Sequence, residues 1–296
     1  MIQYPLRQLL SSTNKVAFRN FLEFILFSSI FIAACAVSFA IETNIILGLP
    51  LNHFGFYIFI FGATLFQYNL HYILKNKAVA GSARLAWSLK NRNLHYLLLL
   101  IGFILIIFSL TSFQLYHFYI LLCLGAIAFI YSFPVVPFGK KKRLKEYGIL
   151  KIITLSLLWT LVTVWFPANR MPYDPALFWF VFVKRFLFMF VLCLLFDMRD
   201  TEIDRETGIY TFPVRMGQNR SYYLAYIVLI VFLFLSGFQF VLWGNGGILI
   251  AMILSVLVTF IIIQMTKKNQ SDFIFLAGID GMMLLQALLV YVFSLK

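Results

Sequence analysis

The chain has 296 residues, 62% hydrophobic and 12% charged, about half the charged share of an ordinary soluble domain. That composition excludes a water-soluble fold, which could not hide so much apolar surface. The formal charge of +13 fits either a nucleic-acid binder or a membrane protein with basic loops, and the placement of the charges along the chain separates the two.

In chain order, the polar start Met1–Arg19 is too long and too weakly basic for a signal-peptide n-region, so the first apolar run reads as a retained helix. A membrane helix needs about 20 predominantly apolar residues. About nine runs meet that length: 21–41, 53–74, 94–112, 116–136, 148–167, 175–197, 222–243, 246–266 and 273–294. Backbone groups in lipid must be satisfied locally, which makes the runs helices, and the short alternating segments of a closed barrel are missing. The expected fold is therefore an all-α integral membrane bundle of about nine transmembrane helices, forming a single polytopic domain over 1–296 without a Gly/Ser linker.

Basic residues collect at every second boundary. They are Arg7, Lys15 and Arg19 before the first run, Lys75, Lys77, Arg84, Lys90 and Arg92 after the second, Lys140–Arg143 and Lys145 after the fourth, Arg199, Arg205, Arg215 and Arg220 after the sixth, and Lys267 and Lys268 after the eighth. The alternate loops carry only Arg170, and the C-terminal end only Lys296. The positive-inside rule then places the N-terminus in the cytoplasm and the C-terminus outside, and the pattern argues for a lipid bilayer and against nucleic acid as partner. Cys35, Cys123 and Cys193 lie in apolar runs without CxxC spacing, and His53, His71, His95 and His117 sit on separate segments, so neither a disulfide framework nor a zinc site is indicated.

The richest stretch is Phe196-Asp197-Met198-Arg199-Asp200-Thr201-Glu202-Ile203-Asp204-Arg205-Glu206-Thr207-Gly208, where the sixth run ends. If the helix continues, Asp197, Asp200 and Asp204 fall within roughly 60° of one another on one face. Three carboxylates near a helix C-terminus call for a cation. An oxygen-only ligand set favours a hard one such as Mg²⁺, which is held by carboxylates together with substrate phosphates. The plainer reading is a solvated helix end in which Arg199 and Arg205 neutralise the acids.

The chain continues Gly208-Ile209-Tyr210-Thr211-Phe212-Pro213-Val214-Arg215-Met216-Gly217. Together, Asp197 to Gly217 resemble, without a gap, the second Asp-rich motif of the UbiA-type intramembrane prenyltransferase superfamily. Tyr131-Ser132-Phe133-Pro134 and the basic run Lys140–Arg143 are similar to another segment of that family. The resemblance implies transfer of an isoprenyl group from its diphosphate to a membrane-soluble acceptor, often an aromatic ring, inside a helical bundle. It implies Asp197, Asp200 and Asp204 as catalytic, Mg²⁺-binding residues, with Lys142, Arg143, Lys75 and Lys77 as diphosphate contacts. The family's first Asp-rich motif falls on Asn69-Leu70-His71-Tyr72-Ile73-Leu74-Lys75-Asn76-Lys77, where the Asn remains but Leu70, Ile73 and Lys77 stand at the acidic positions. Three readings follow: a transferase with one metal in which Lys75 or Lys77 replaces the other, a non-catalytic relative that binds an isoprenoid lipid or a partner protein, and a lipid transporter built on the same cavity.

Asn69, His71 and Tyr131 are expected to line the substrate cavity, as are Arg185 and Asp280, which lie deep in apolar runs. A charge at such depth costs on the order of 3 kcal/mol even on the lenient insertion scale. Lys184 or Arg185 is accordingly expected to pair with Asp280. The opposing reading lets the basic pair snorkel outward.

Overall fold

The computed structural model describes residues 17–74, 83–132, 148–168 and 173–295, with Tyr116, Tyr131 and Ser132 placed by their backbone alone. Thirteen helices follow one another through these residues: α1 (Ala17–Phe27), α2 (Ile30–Ile46), α3 (Phe54–Ile73), α4 (Ala83–Lys90), α5 (Arg92–Leu110), α6 (Leu115–Ser132), α7 (Gly148–Thr160), α8 (Pro175–Arg199), α9 (Thr201–Glu206), α10 (Phe212–Met216), α11 (Gln218–Trp243), α12 (Gly246–Lys268) and α13 (Gly281–Ser294). Wide π-helical turns extend α7 over Leu161–Trp165 and precede α13 over Ile274–Ile279.

Among the described residues, six helices are long and apolar enough to cross a membrane, or seven if α1 and α2, bent by 58°, count as one span. The chain is thus an all-helical, multi-pass membrane protein, with six or seven of the nine expected runs meeting that length and hydropathy among the described residues. Gln67, Asn69 and His71 lower the hydropathy of α3, and α6 has only a short apolar stretch, His117–Ile130, among the described residues. The outward faces fit a lipid environment: Phe108, Leu122, Ile230, Phe234 and Val241 are all exposed, as expected of helices apolar all round.

Packing runs from α5 through α3, α2, α13, α12, α11 and α8 to α7, whose π-helical turn comes back against α2, while α6 leans on α7. Small residues set the crossing of α3 and α5. A Cβ on Gly102 would stand 2.8 Å from the Gly62 carbonyl oxygen and 2.9 Å from the Phe66 nitrogen, so α3 and α5 approach there through bare backbone. Residue Ser29, with φ 71°, breaks α1 from α2. The break exposes the Ser28 carbonyl, which Asn69 Nδ2 caps at 3.2 Å, so the kink is held by a neighbouring helix.

Candidate functional site

Helix α8 is anchored at one end by Asp174, whose Oδ1 accepts from the backbone N–H of Ala176 and Leu177 ahead of Pro175 in the first turn. At its other end it meets the acidic stretch. A one-residue interruption at Asp200 separates α8 from α9, where the Thr201 hydroxyl donates to the Met198 carbonyl at 2.8 Å. The three acids therefore do not act as one stripe.

Asp197 and Asp204 turn inward onto a residue the sequence reading missed, Lys151 of α7. Its Nζ lies 2.9 Å from Asp197 Oδ1 and 2.9 Å from Asp204 Oδ2. The side chains of Asp197 and Asp204 are 7% and 6% exposed and that of Lys151 18%, so the triad is nearly dry and its ion pairs are little screened. Burial pushes the Asp204 carboxyl above its ordinary range while the Lys151 ammonium pulls it back. Among the described residues, Asp197 Oδ2 is buried without a donor. Asp200 instead accepts from Arg199, Oδ1 from Nε at 2.8 Å and Oδ2 from Nη2 at 3.3 Å.

The local backbone explains how Lys151 arrives there. Gly148, φ +27°, starts α7 against the loop that follows α9, and a Cβ at this position would collide with the Tyr210 carbonyl. That loop leaves α9 through Gly208, φ 72°, whose left-handed conformation ends the helix. Gly148 thereby lets α7 begin directly beside the acids, and Lys151 stands one turn further on.

A second polar centre joins α2, α3, α4, α5 and the end of α8. Arg84 Nη2 donates to Ser29 Oγ at 3.0 Å, and its guanidinium lies 4.5 Å from the centre of the Tyr72 ring. Asp272 accepts from the Arg84 backbone N–H at 2.9 Å and from Arg199 Nη1 at 3.3 Å. The Asn69 amide is fully engaged, donating to Ser28 O and to Leu65 O at 2.7 Å, with Oδ1 2.6 Å from His95 Nδ1. Asn69 therefore braces the kink and does not line the cavity as expected. His71 is half-buried with its ring against Tyr72. Tyr131 lies on α6, with its side chain outside the described set. Lys75, Lys77, Lys142 and Arg143 also lie outside the described residues.

The expected pairing of Lys184 or Arg185 with Asp280 is overturned. Arg185 Nη2 meets Glu42 Oε2 at 3.2 Å, its Nη1 donates to Phe39 O at 3.2 Å, and its guanidinium stacks 3.6 Å over the Phe39 ring. Glu42 Oε1 also accepts from Gln286 Nε2 at 3.3 Å. Lys184 Nζ donates to Ser236 Oγ at 3.4 Å. Asp280 is buried at the junction of the π-helical turn and α13. Glu42 had no signal beyond being a lone acid inside an apolar run.

An apolar cavity of ≈ 290 Å³ lies between α3, α5, α6 and α7, lined among others by Phe59, Tyr68, Gly125, Leu155, Trp159 and Phe166. On α7, Leu155 and Trp159 fall one and two turns below Lys151 on the same face. Lys151 and part of the cavity wall are thus carried by one helix.

Residues 92–279 match the UbiA prenyltransferase family. The chain belongs to that family. Solved UbiA-fold structures share the architecture at low identity: a UbiA homolog from Archaeoglobus fulgidus bound to GPP and Mg²⁺ (13% identity, TM-score 0.62, 93% of this chain and 100% of that one), and an apo UbiA homolog from Aeropyrum pernix K1 (14%, TM-score 0.63, 88% and 97%). A structure described with the biosynthesis of digeranylgeranylglyceryl phosphate synthase in membranes matches at 14% identity and TM-score 0.57, over 94% of this chain and 99% of that one. Among curated proteins, none matches.

Whether this UbiA chain suits the Mg²⁺ of its structural neighbour turns on the donor set. A divalent ion between Asp197 and Asp204 needs carboxylate oxygens at about 2.0–2.1 Å, at the point where Lys151 Nζ sits. Among the described residues no three His, Cys, Asp or Glu side chains are grouped to hold a metal. The described side chains do not fit Mg²⁺ as the sequence led one to expect.

Proposed function

We propose that this UbiA-family protein is an intramembrane transferase that moves an isoprenyl group from its diphosphate to a membrane-soluble acceptor. The observation that carries the reading is the apolar cavity among α3, α5, α6 and α7 in a chain of the UbiA family, which suits the hydrocarbon tail of an isoprenyl donor. In this reading the C–O bond between the allylic carbon and the diphosphate breaks, and the diphosphate leaves with the electron pair. The acceptor's nucleophilic atom then bonds that carbon and loses a proton to water. Phe59, Tyr68, Trp159 and Phe166 would shelter the cationic fragment with their ring faces. Lys75, Lys77, Lys142 and Arg143 would meet the diphosphate as point or fork charges. Asp200, paired with Arg199, would hold that guanidinium in place. Mg²⁺ is not assigned to Asp197 and Asp204, because Lys151 holds both. The acidic end would face the cytoplasm, following the basic loops.

Titration of the purified protein with a non-hydrolysable isoprenyl diphosphate tests the reading. Gly125 offers a control, since a Cβ there meets nothing within 4 Å and would project into the cavity region. Binding should occur in the wild type and weaken about tenfold, or 1.4 kcal/mol, in Gly125→Leu. Absence of binding in the folded wild type removes the reading.

One observation favours a second reading, a relative that binds an isoprenoid without turnover: the two inner acids are closed on a lysine. Diphosphate release from geranyl diphosphate in acceptor-bearing lipid extract separates the two, since a binder releases none.

A further inference from the structure

The geometry points to Lys151 as a resident counter-ion of the second acidic motif: its ammonium stands between Asp197 and Asp204 in place of a divalent ion, so that this acid pair does not itself hold metal. Three observations support this independently. The ammonium contacts one oxygen of each acid at the same 2.9 Å, and an ion bridging those oxygens would need its position. The Lys151 backbone is held there by construction, since the Gly148 contact with Tyr210 fixes the start of α7 against the loop after the acids. The third acid, Asp200, is engaged by Arg199, which itself reaches Asp272 at 3.3 Å, so the trio that would complete a metal site is divided between two cations of the protein.

Physically, a lysine is a weaker but permanent partner. A divalent ion shared by two carboxylates offsets both, whereas one ammonium offsets one, and among the described residues Asp197 Oδ2 is left without a partner. The exchange trades strength for independence from metal supply. It also reassigns the work of gripping an anionic head group to basic side chains, matching the first motif, where Leu70, Ile73 and Lys77 stand at the acidic positions. Lys151 is thus a positioning residue: it organises the acids and does not react.

The inference refines the proposed transferase site and rests on that reading only in its final arm. Mn²⁺ serves as the probe, because its electron paramagnetic resonance signal is lost on binding. Detergent-purified wild type, Asp197→Asn, Lys151→Gln and the Lys151→Gln/Asp197→Asn double variant are titrated with Mn²⁺ alone. Wild type and Asp197→Asn should leave the free-ion signal equal. Lys151→Gln should take up a single Mn²⁺ ion about tenfold or more tighter than wild type, and the double variant should lose it. Two outcomes overturn the proposal: Mn²⁺ uptake by wild type that Asp197→Asn abolishes, or a folded Lys151→Gln that binds Mn²⁺ no better than wild type. If Lys151→Gln fails to fold, by circular dichroism and gel filtration, the wild-type and Asp197→Asn comparison decides alone.

The final arm repeats the titration with geranyl diphosphate in EDTA. Wild type should still bind it, and Lys151→Gln should bind it only after Mn²⁺ is restored. Diphosphate binding by wild type that demands Mn²⁺ and vanishes in Asp197→Asn overturns the inference. Failure of the wild type to bind geranyl diphosphate under either condition instead overturns the transferase reading and leaves the Mn²⁺ result standing.

Discussion

Glu42 and Arg185 pair at 3.2 Å with side chains 1% and 2% exposed, within the bundle. Removing one member of a buried pair strands the other charge. Glu42→Ala should therefore cost about 3–5 kcal/mol, read as a fall in denaturant midpoint in detergent, whereas Asp280→Asn should cost clearly less, because Asp280 makes no direct ion pair with Arg185. Equal losses would return Asp280 to the role expected from sequence. The same lesson holds for Lys151. Its partners Asp197 and Asp204 were legible, since acids at a helix end are conspicuous, but a lysine 46 to 53 positions earlier in the chain, inside an apolar run, carries no local mark.

At the scale of elements, junctions decide geometry. Gly148 allows the start of α7 to touch the loop at Tyr210, and Gly148→Ala should overpack it by about 1–3 kcal/mol, because the obstacle is backbone and cannot swing aside. Thermal unfolding beside a Gly125→Ala control, where the added Cβ meets nothing within 4 Å, checks this: similar midpoints would contradict the close approach. At the far end of α8, Asp174 joins two elements, capping α8 and accepting from Trp243 Nε1 of α11 at 2.7 Å. These hydrogen bonds, the Trp243 one foremost, hold its carboxyl below the usual range. A lowered folded value stabilises the folded form above the ordinary carboxylate range and is lost as pH falls through it. Acidification should thus shift tryptophan fluorescence and lower stability, and Asp174→Asn should flatten that acid limb. An unchanged acid limb in the variant would show that Asp174 contributes none of it. The π-helical turn after α7 has a comparable role, since its Thr163 carbonyl accepts from Thr43 Oγ1 of α2 at 2.6 Å.

For the whole molecule, the basic loops imply an orientation that reporters can read. A phosphatase fused after Lys296 should be active outside the cytoplasm, and a fluorescent protein there should stay dark; the reverse pattern would invert the positive-inside assignment. The all-helical membrane class and the family were legible because hydropathy is a sum over many residues and the motif from Asp197 to Gly217 is contiguous. The span count is harder to read, since apolar runs such as α3 carry polar residues that packing against α2 and α5 employs.

Signals local to the chain suffice to put the protein in a bilayer as a helical UbiA-family bundle with acids at the end of α8. What those acids hold depends on how distant helices meet. Composition and periodicity are properties of neighbours along the chain, whereas Lys151 with Asp197 and Asp204, Arg185 with Glu42, and Asn69 with the Ser28 carbonyl are meetings between distant helices. In a low-dielectric interior such meetings are the only compensation a buried charge or carbonyl can find.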